Sequence, residues 1–284
     1  MESLCHFDAA GVLSPHGVTV FREIIYGHFQ RHGRDFPWRR TDDPYEILVS
    51  EIMLQQTQVD RVTRWYGRFL TAFPDLATLA QASVHEILSV WQGLGYNRRG
   101  LFLQRLARQV VEEFGGRLPD SPEILRTLPG IGPATAGALA TFAFNRPVVF
   151  LETNIRRVFL HFFFPHSTGV TDRQLFPLVG QTLDTTRPRL WFYALMDYGA
   201  SLKAQAPNPN RRSAHYRKQS PFENSDRQIR SRILQMLLKE SPLHKNLVEK
   251  ADGQRPTRVR RIISQLVAEG FLEQREGFLS INSG

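Results

Sequence analysis

Apolar residues recur three or four positions apart through most of the chain, which predicts a body built of helices. From Tyr45 to about Phe73 the apolar set is Ile47, Leu48, Ile52, Leu54, Val59, Val62, Trp65, Tyr66 and Phe69, all at helical spacing. Asp42-Asp43-Pro44 reads as the start of that stretch. Acidic groups suit the positive end of a helix, and proline is tolerated in its first turn. Ser83-Val-His-Glu86 has the form of a capping box opening a further helix, and Asp120-Ser-Pro-Glu123 starts another. No long alternation of apolar and polar positions, the mark of strands, occurs before residue 270. The expected class is all-α with short connections.

The pattern changes at 203–218, KAQAPNPNRRSAHYRK, which has five Lys or Arg, two prolines and no acidic residue. It reads as an irregular basic segment crossing the surface. Beyond it, Asp226 to Lys239 is amphipathic, with Ile229, Ile233, Leu234, Leu237 and Leu238 on one side. Leu243–Val248 and Thr257–Gly270 read as two more helices, and Phe271 to Ile281 alternates about Gly277 like a hairpin. Three helices followed by a hairpin is the order of a winged helix. The 284 residues suggest two domains at roughly 150 residues each. They are read as 1–221 and a winged-helix-like 222–284.

Charge narrows the function. Lys plus Arg is 36 against 27 Asp plus Glu, a formal +9. Nucleic acid is the first candidate partner, an acidic membrane surface the second, and a merely basic surface the bland reading. The single cysteine, Cys5, cannot form an internal disulfide or a cysteine-based zinc or iron–sulfur site, in keeping with a reducing compartment. No apolar run reaches the roughly 18 residues of a membrane span. MESLCHFDAAGVL has neither a basic start nor a long apolar core, so no signal peptide is expected.

Four segments carry candidate chemistry. Leu128-Pro-Gly-Ile-Gly132-Pro-Ala-Thr135 is a glycine turn leading into a helix that begins near Thr135. Such a turn at a helix N-terminus suits a backbone phosphate, or is an ordinary helix–helix turn. In Ser50-Glu-Ile-Met-Leu-Gln-Gln-Thr57, Glu51 stands at the edge of an apolar helix face. A carboxyl so placed can hold a proton at neutral pH, or it is a solvated surface residue. Gln55, Gln56 and Thr57 suit base edges, or form a polar helix end. Glu152 and Asn154 follow the apolar run 147–151 and could cap the next helix, with or without a catalytic role. Tyr96, between Gly95 and the pair Arg98-Arg99, is a candidate wedge into a base stack. It is otherwise a core aromatic with two solvated arginines beside it.

Taken in order, Phe36-Pro-Trp-Arg39, Pro44-Tyr45, Ser50 to Gln58, Trp91-Gln-Gly-Leu-Gly-Tyr96, Leu128 to Gly132, Asn154 and Met196-Asp-Tyr-Gly-Ala200 resemble the helix–hairpin–helix DNA glycosylase superfamily, and within it the MutY-type adenine glycosylases. The resemblance covers about residues 18 to 200. It implies a two-lobed fold, with a six-helix hairpin domain at about 44–152 and a second lobe from 1–43 plus 153–221. It also implies excision of a base flipped out of double-stranded DNA. Glu51 would then protonate the departing purine, and Glu152 would stabilise the sugar cation. Gln55, Gln56, Thr57, Tyr96, Arg98, Asn154, Lys203, Arg211 and Arg212 would contact DNA. Gly130, Gly132 and Thr135 would hold phosphate, often beside a monovalent cation.

The departures are as informative. Relatives carry Asp where Glu152 stands. The lyases of the superfamily carry Lys where Ala134 stands, so strong lyase activity is not expected. The four cluster cysteines of relatives, spaced C-x6-C-x2-C-x5-C, align with Lys203, Asn210, Ser213 and Gln219, so no iron–sulfur cluster and no other metal is expected. The residues from Phe222 are too few for an 8-oxoguanine recognition domain. The leading expectation is a monomeric, cytoplasmic and, in a bacterium, nucleoid-associated monofunctional glycosylase, with adenine the first candidate base. A uracil or thymine-mismatch glycosylase, a glycosylase for another altered base, and a catalytically weak DNA-binding homologue stand as alternatives.

Overall fold

A computed structural model describes residues 13–204, 207–218, 221–251 and 256–282. In chain order the helices are α1 (Pro15–His32), α2 (Pro44–Leu54), α3 (Val59–Ala72), α4 (Leu76–Gln81), α5 (Val84–Trp91), α6 (Arg98–Phe114), α7 (Pro122–Leu125), α8 (Pro133–Phe142), α9 (Thr153–Phe163), α10 (Asp172–Thr182) and α11 (Pro188–Ala204). Then follow α12 (Asp226–Lys239), β1 (Leu243–His244), α13 (Lys245–Ala251), α14 (Pro256–Ala268), β2 (Leu272–Arg275) and β3 (Phe278–Ile281).

Short-range chemistry sets most of these boundaries. The Asp43 carboxylate accepts from the Tyr45 N–H at 2.8 Å and starts α2. Ser83 and Glu86 form both bonds of the capping box that opens α5. The Asp120–Glu123 signal starts only one turn of helix, α7, capped by Ser121. The apolar stretch from Tyr45 to Phe73 is broken: α2 ends at Leu54 and α3 begins at Val59. Gln56 between them is left-handed, with φ 55°, which no helix can continue. The helix after the glycine turn begins at Pro133, two residues before Thr135, because proline is suited to a first turn.

Contacts divide the chain into two compact units. One comprises Met1–Leu48, Pro119–Thr127 and Ile131–Lys218. Its core is aromatic: Phe21 meets Phe159, Phe163 and Trp191, with ring centroids 5.2–5.9 Å apart. Phe142 stacks on Tyr193 at 4.5 Å. Asp197 is buried in this unit, held by Arg34 and by both terminal nitrogens of Arg39 at 2.8 Å. Burial pushes the Asp197 carboxyl up, but the hydrogen bonds and charge of Arg39, with Arg34, outweigh it and keep it below the usual carboxylate range.

The other unit comprises Val49–Leu118, Leu128–Gly130 and Gln219–Gly284. Within 222–284, read from the sequence as a separate winged-helix-like domain, helices α12 to α14 and the β2–β3 hairpin share one core with α5 and α6. Val84, Leu88 and Leu101 are buried in the same cluster as Ile233, Leu237, Ile263 and Phe271. The C-terminal order is helix, strand, two helices, hairpin, as in a winged helix. Leu243–His244, expected to begin a helix, instead pairs antiparallel with β3, giving the sheet order β1-β3-β2. Two residues whose partners lie over thirty positions away carry no local strand signal.

Candidate functional site

Glu51 lies in the second unit, half-buried on the last two turns of α2. The end of that helix is organised by Arg99, which the sequence marks only as half of a basic pair open to a solvated reading. Arg99, on α6, is 7% exposed. Its guanidinium donates to the carbonyls of Ile52 (2.9 Å), Met53 (2.8 Å) and Gln55 at the end of α2. It also donates to the Thr57 hydroxyl (2.9 Å) and the Gly95 carbonyl (3.0 Å). A cation among helix-terminal carbonyls meets the negative end of the helix dipole. Burial nevertheless lowers the Arg99 pKa to about 10.

Arg99 thus binds the carbonyl just before each of two left-handed non-glycine residues, Gln56 (φ 55°) and Tyr96 (φ 49°). Non-glycine residues in this region carry strain of about 1–3 kcal/mol and persist where surrounding contacts impose it. Gln56 is exposed and Tyr96 half-buried. Gln55 reaches the Gly130 carbonyl through Nε2 at 3.3 Å, tying the Glu51 helix to the glycine turn. Arg98, read as a DNA contact, is largely exposed and lies 3.5 Å from Glu269.

The two glycines of the turn differ. Gly130 has φ 80°, and a Cβ there would stand 3.0 Å from Phe102 Cβ, so the fold itself requires glycine. Gly132 caps α8 in extended conformation (φ −88°, ψ 174°), and a Cβ would meet nothing within 4 Å. Of the two, only Gly130 needs the conformational freedom of glycine for the turn itself. Thr135 lies half-buried in the first turn of α8.

Glu152 belongs to the first unit and is the N-cap of α9. Its Oε1 accepts from the backbone N–H of Asn154 (2.7 Å) and of Ile155 (2.8 Å), and Oε2 from Asn154 Nδ2 (3.2 Å). Burial pushes its carboxyl above the ordinary value, against the pull of those N–H groups and of Arg157 and Arg156. Arg157 donates to Asn154 Oδ1 at 2.9 Å and to the Gly199 carbonyl at 2.5 Å. A Cβ at Gly199 would fall 2.3 Å from the Asn154 carbonyl oxygen, so the close approach of α11 to this cap needs glycine.

The basic segment is partly structural. Lys203, Arg211, Arg217 and Lys218 are exposed. Arg212 instead donates to the Leu160 carbonyl (3.1 Å) and Phe164 carbonyl (3.4 Å) at the end of α9. Of the four positions aligned with cluster cysteines, Asn210 donates to the Thr153 carbonyl at 3.1 Å, Ser213 bridges Val170, and Gln219 lies outside the described residues. None is a thiol, so this residue set does not fit an iron–sulfur cluster. Among the described residues no group of three His, Cys, Asp or Glu could hold a metal ion, and no helix is long and apolar enough to cross a membrane. An open cleft of about 650 Å³ in the first unit is lined by His28, His32, Arg34, Asp197 and Tyr198, among others, and by none of the candidate catalytic or DNA-binding residues.

A family profile described as HhH-GPD superfamily base excision DNA repair protein matches residues 49–176. An adenine DNA glycosylase of Mycolicibacterium smegmatis is 32% identical over 260 residues, covering 85% of this chain and 88% of that protein. A Homo sapiens adenine DNA glycosylase is 40% identical over 198 residues, covering 65% of this chain. The chain spans only 36% of that human protein's length. Among solved structures, a thermostable thymine-DNA glycosylase matches at 28% identity with a TM-score of 0.60, covering 68% of this chain and 90% of that one. Helical architecture, glycine hairpin and sequence similarity agree: the chain belongs to the HhH-GPD superfamily of base excision DNA repair proteins.

Proposed function

We propose that this protein is a monofunctional DNA glycosylase that hydrolyses the N-glycosidic bond of a mismatched adenine flipped out of double-stranded DNA. The observation that carries the reading is the segment Glu51 to Thr57, pinned by Arg99 against the Tyr96 turn, in a chain so similar to an adenine glycosylase along most of both lengths. Glu51 supplies the proton to the departing purine. Glu152, fixed at the N-terminus of α9, supplies negative charge to the oxocarbenium-like sugar. Water completes the hydrolysis. Ala134 offers no amine for a Schiff base, which supports weak or absent lyase activity.

The enzyme works as a monomer and without an iron–sulfur cluster, in the compartment that holds the DNA, the cytoplasm in a bacterium. Carbonyl oxygens of Leu128–Gly130 are of the chemistry that would hold a monovalent cation, whose charge would help neutralise a phosphate. The similarity to a thymine-DNA glycosylase supports a second reading, thymine or uracil opposite guanine.

Single-turnover base release on duplexes holding A opposite 8-oxoguanine, A·G, G·T, G·U and hypoxanthine pairs decides between them. Release of adenine, lost in Glu51→Gln with duplex binding retained, is the expected result. Near wild-type release by that variant overturns the role of Glu51. Release from none of the duplexes leaves a DNA-binding homologue as the better reading.

A further inference from the structure

Tyr96 is held from two sides. Arg99 lies 5.3 Å from its ring centroid, from the helix that follows it. The second cation comes from 131 residues further along the chain: Arg227 Nη1 donates to the Tyr96 hydroxyl at 2.9 Å, with its guanidinium 5.7 Å from the ring centroid. Arg227 sits in the first turn of α12, capped by Ser225, and also donates to the Pro221 carbonyl at 3.3 Å.

The surrounding contacts make this a fixed arrangement within one compact unit. Arg105 of α6 donates to the Glu269 carbonyl at 2.8 Å, and the Glu269 carboxylate accepts from Arg230 of α12. Beneath them the buried side chains of α5, α6, α12 and α14 form one core. α12 is therefore anchored to the segment that carries Tyr96, not tethered to it by a linker.

We propose that Arg227 is a positioning residue for Tyr96: the C-terminal segment sets the angle at which the aromatic ring meets DNA. The proposal rests on the reading of the Tyr96 turn as a DNA contact. A tyrosine at φ 49° is strained and gains from an external hold. A hydrogen bond to its hydroxyl fixes the ring tip, which the backbone alone does not. The C-terminal residues thereby take part in recognition through Tyr96.

The test is a double-substitution cycle on the full chain, with Arg227→Met, Arg227→Lys, Tyr96→Phe, Tyr96→Ala and the Arg227→Met/Tyr96→Phe pair. The probe is a duplex with A opposite 8-oxoguanine and 2-aminopurine beside the adenine, whose fluorescence rises when the stack is opened. Thermal melting checks folding. Arg227→Met should blunt the fluorescence rise and slow base release about three- to tenfold, the worth of one hydrogen bond. Arg227→Lys should restore part of both. In the Tyr96→Phe background Arg227→Met should add little.

Full additivity of the two changes, or unaltered fluorescence and release in Arg227→Met, overturns the proposal. If Tyr96→Ala itself leaves both signals unchanged, the reading of the turn as a DNA contact fails, and the proposal with it. If Tyr96→Ala abolishes the signal while Arg227→Met does not alter it, only the positioning role fails. Should Arg227→Met fold poorly, Arg227→Lys, Tyr96→Phe and their pair still decide: a smaller loss in Arg227→Lys than in Tyr96→Phe, and a pair little slower than Tyr96→Phe alone, are expected, and no loss in either single change overturns it.

Discussion

Replacing Arg99 with methionine keeps much of the side-chain volume and removes every hydrogen bond that its guanidinium makes to the end of α2. Two effects oppose each other. Burial lowers the Arg99 pKa to about 10, a penalty on the charged form of about 3 kcal/mol, which the substitution relieves. Against it stand six acceptors, the carbonyls of Ile52, Met53, Gln55, Gly95 and Tyr96 and the Thr57 hydroxyl. Water can reach those at Gln55, Thr57, Gly95 and Tyr96, whose bonds are only partly buried, but not the Ile52 and Met53 carbonyls. Two orphaned buried acceptors cost about 2–6 kcal/mol. Lost contact between the guanidinium and the Trp91 and Tyr96 rings, at 5.6 and 5.3 Å, adds about 1 kcal/mol. The net expectation is a destabilisation of about 2 kcal/mol, read as a lower urea midpoint with the slope unchanged. Arg99→Lys should recover less than half, because one ammonium cannot span both the α2 end and the Gly95 turn. Base release, measured well below the midpoint, should fall further than the unfolded fraction explains, since Gln56 and Tyr96 lose the common hold on their left-handed geometry. A variant with an unaltered midpoint, or one that is destabilised but releases base at the normal rate, would refute this account.

The glycine turn and the basic segment allow two more separations of fold from binding. Gly130→Ala should cost about 1–2 kcal/mol of stability, from positive φ and the Phe102 contact. Gly132→Ala should leave stability unchanged or raise it by up to about 1 kcal/mol, yet weaken duplex binding by placing a methyl where a phosphate approaches; normal affinity would show that no phosphate sits there. Neutralising Lys203, Arg211, Arg217 and Lys218 should flatten the salt dependence of DNA affinity by roughly one unit of slope per lost phosphate contact. Arg212→Gln should instead lower the melting temperature, because that guanidinium is engaged with the end of α9.

What could be read in the sequence was local. Caps at Asp43, Ser83 and Glu152, the amphipathic faces of α3 and α12, and the glycine turn all act within a few residues, and the chain states them directly. The break at 55–58 was hidden because its cause, the hold of Arg99 on the carbonyls of α2, comes from a helix more than forty residues away. Arg99 gave no signal of its own, since Tyr96-Asn-Arg98-Arg99 reads as a solvated basic pair. Its burial follows from a lack of acceptors satisfied inside α2, which sequence spacing does not reveal. The same holds for Arg227, which looks like any first-turn helix residue. The apolar faces of α5 and α6 could be read as buried, but not that part of their cover is the C-terminal segment.

The resemblance implies aspartate where Glu152 stands, and a carboxylate moved by the length of one methylene would lose much of its effect on a reacting centre. The cap geometry removes that difficulty. The carboxylate is located by the two N–H groups of Asn154 and Ile155, the second and third positions of α9, and these are the donors that a capping aspartate also reaches. The extra carbon is taken up between Cα and the cap. With three donors already bound to its oxygens, the group is held in place, and it supplies negative charge once pH exceeds its raised folded value. Glu152→Asp should therefore release base at close to the natural rate, whereas Glu152→Gln, which keeps a cap acceptor but no charge, should be slower by more than about tenfold. The pH dependence gives an independent check. Burial raises the folded carboxyl, so between the ordinary carboxylate range and the raised value the unfolded chain has lost its proton while the folded chain keeps it. Stability contributed by Glu152 is thus full in acid and declines as pH rises through the folded value. Urea midpoints followed upward in pH from the ordinary carboxylate range should show that decline in the natural chain, and it should be missing from Glu152→Gln. An aspartate variant as slow as the glutamine one would mean that side-chain length, not the helix end, decides where the carboxylate sits.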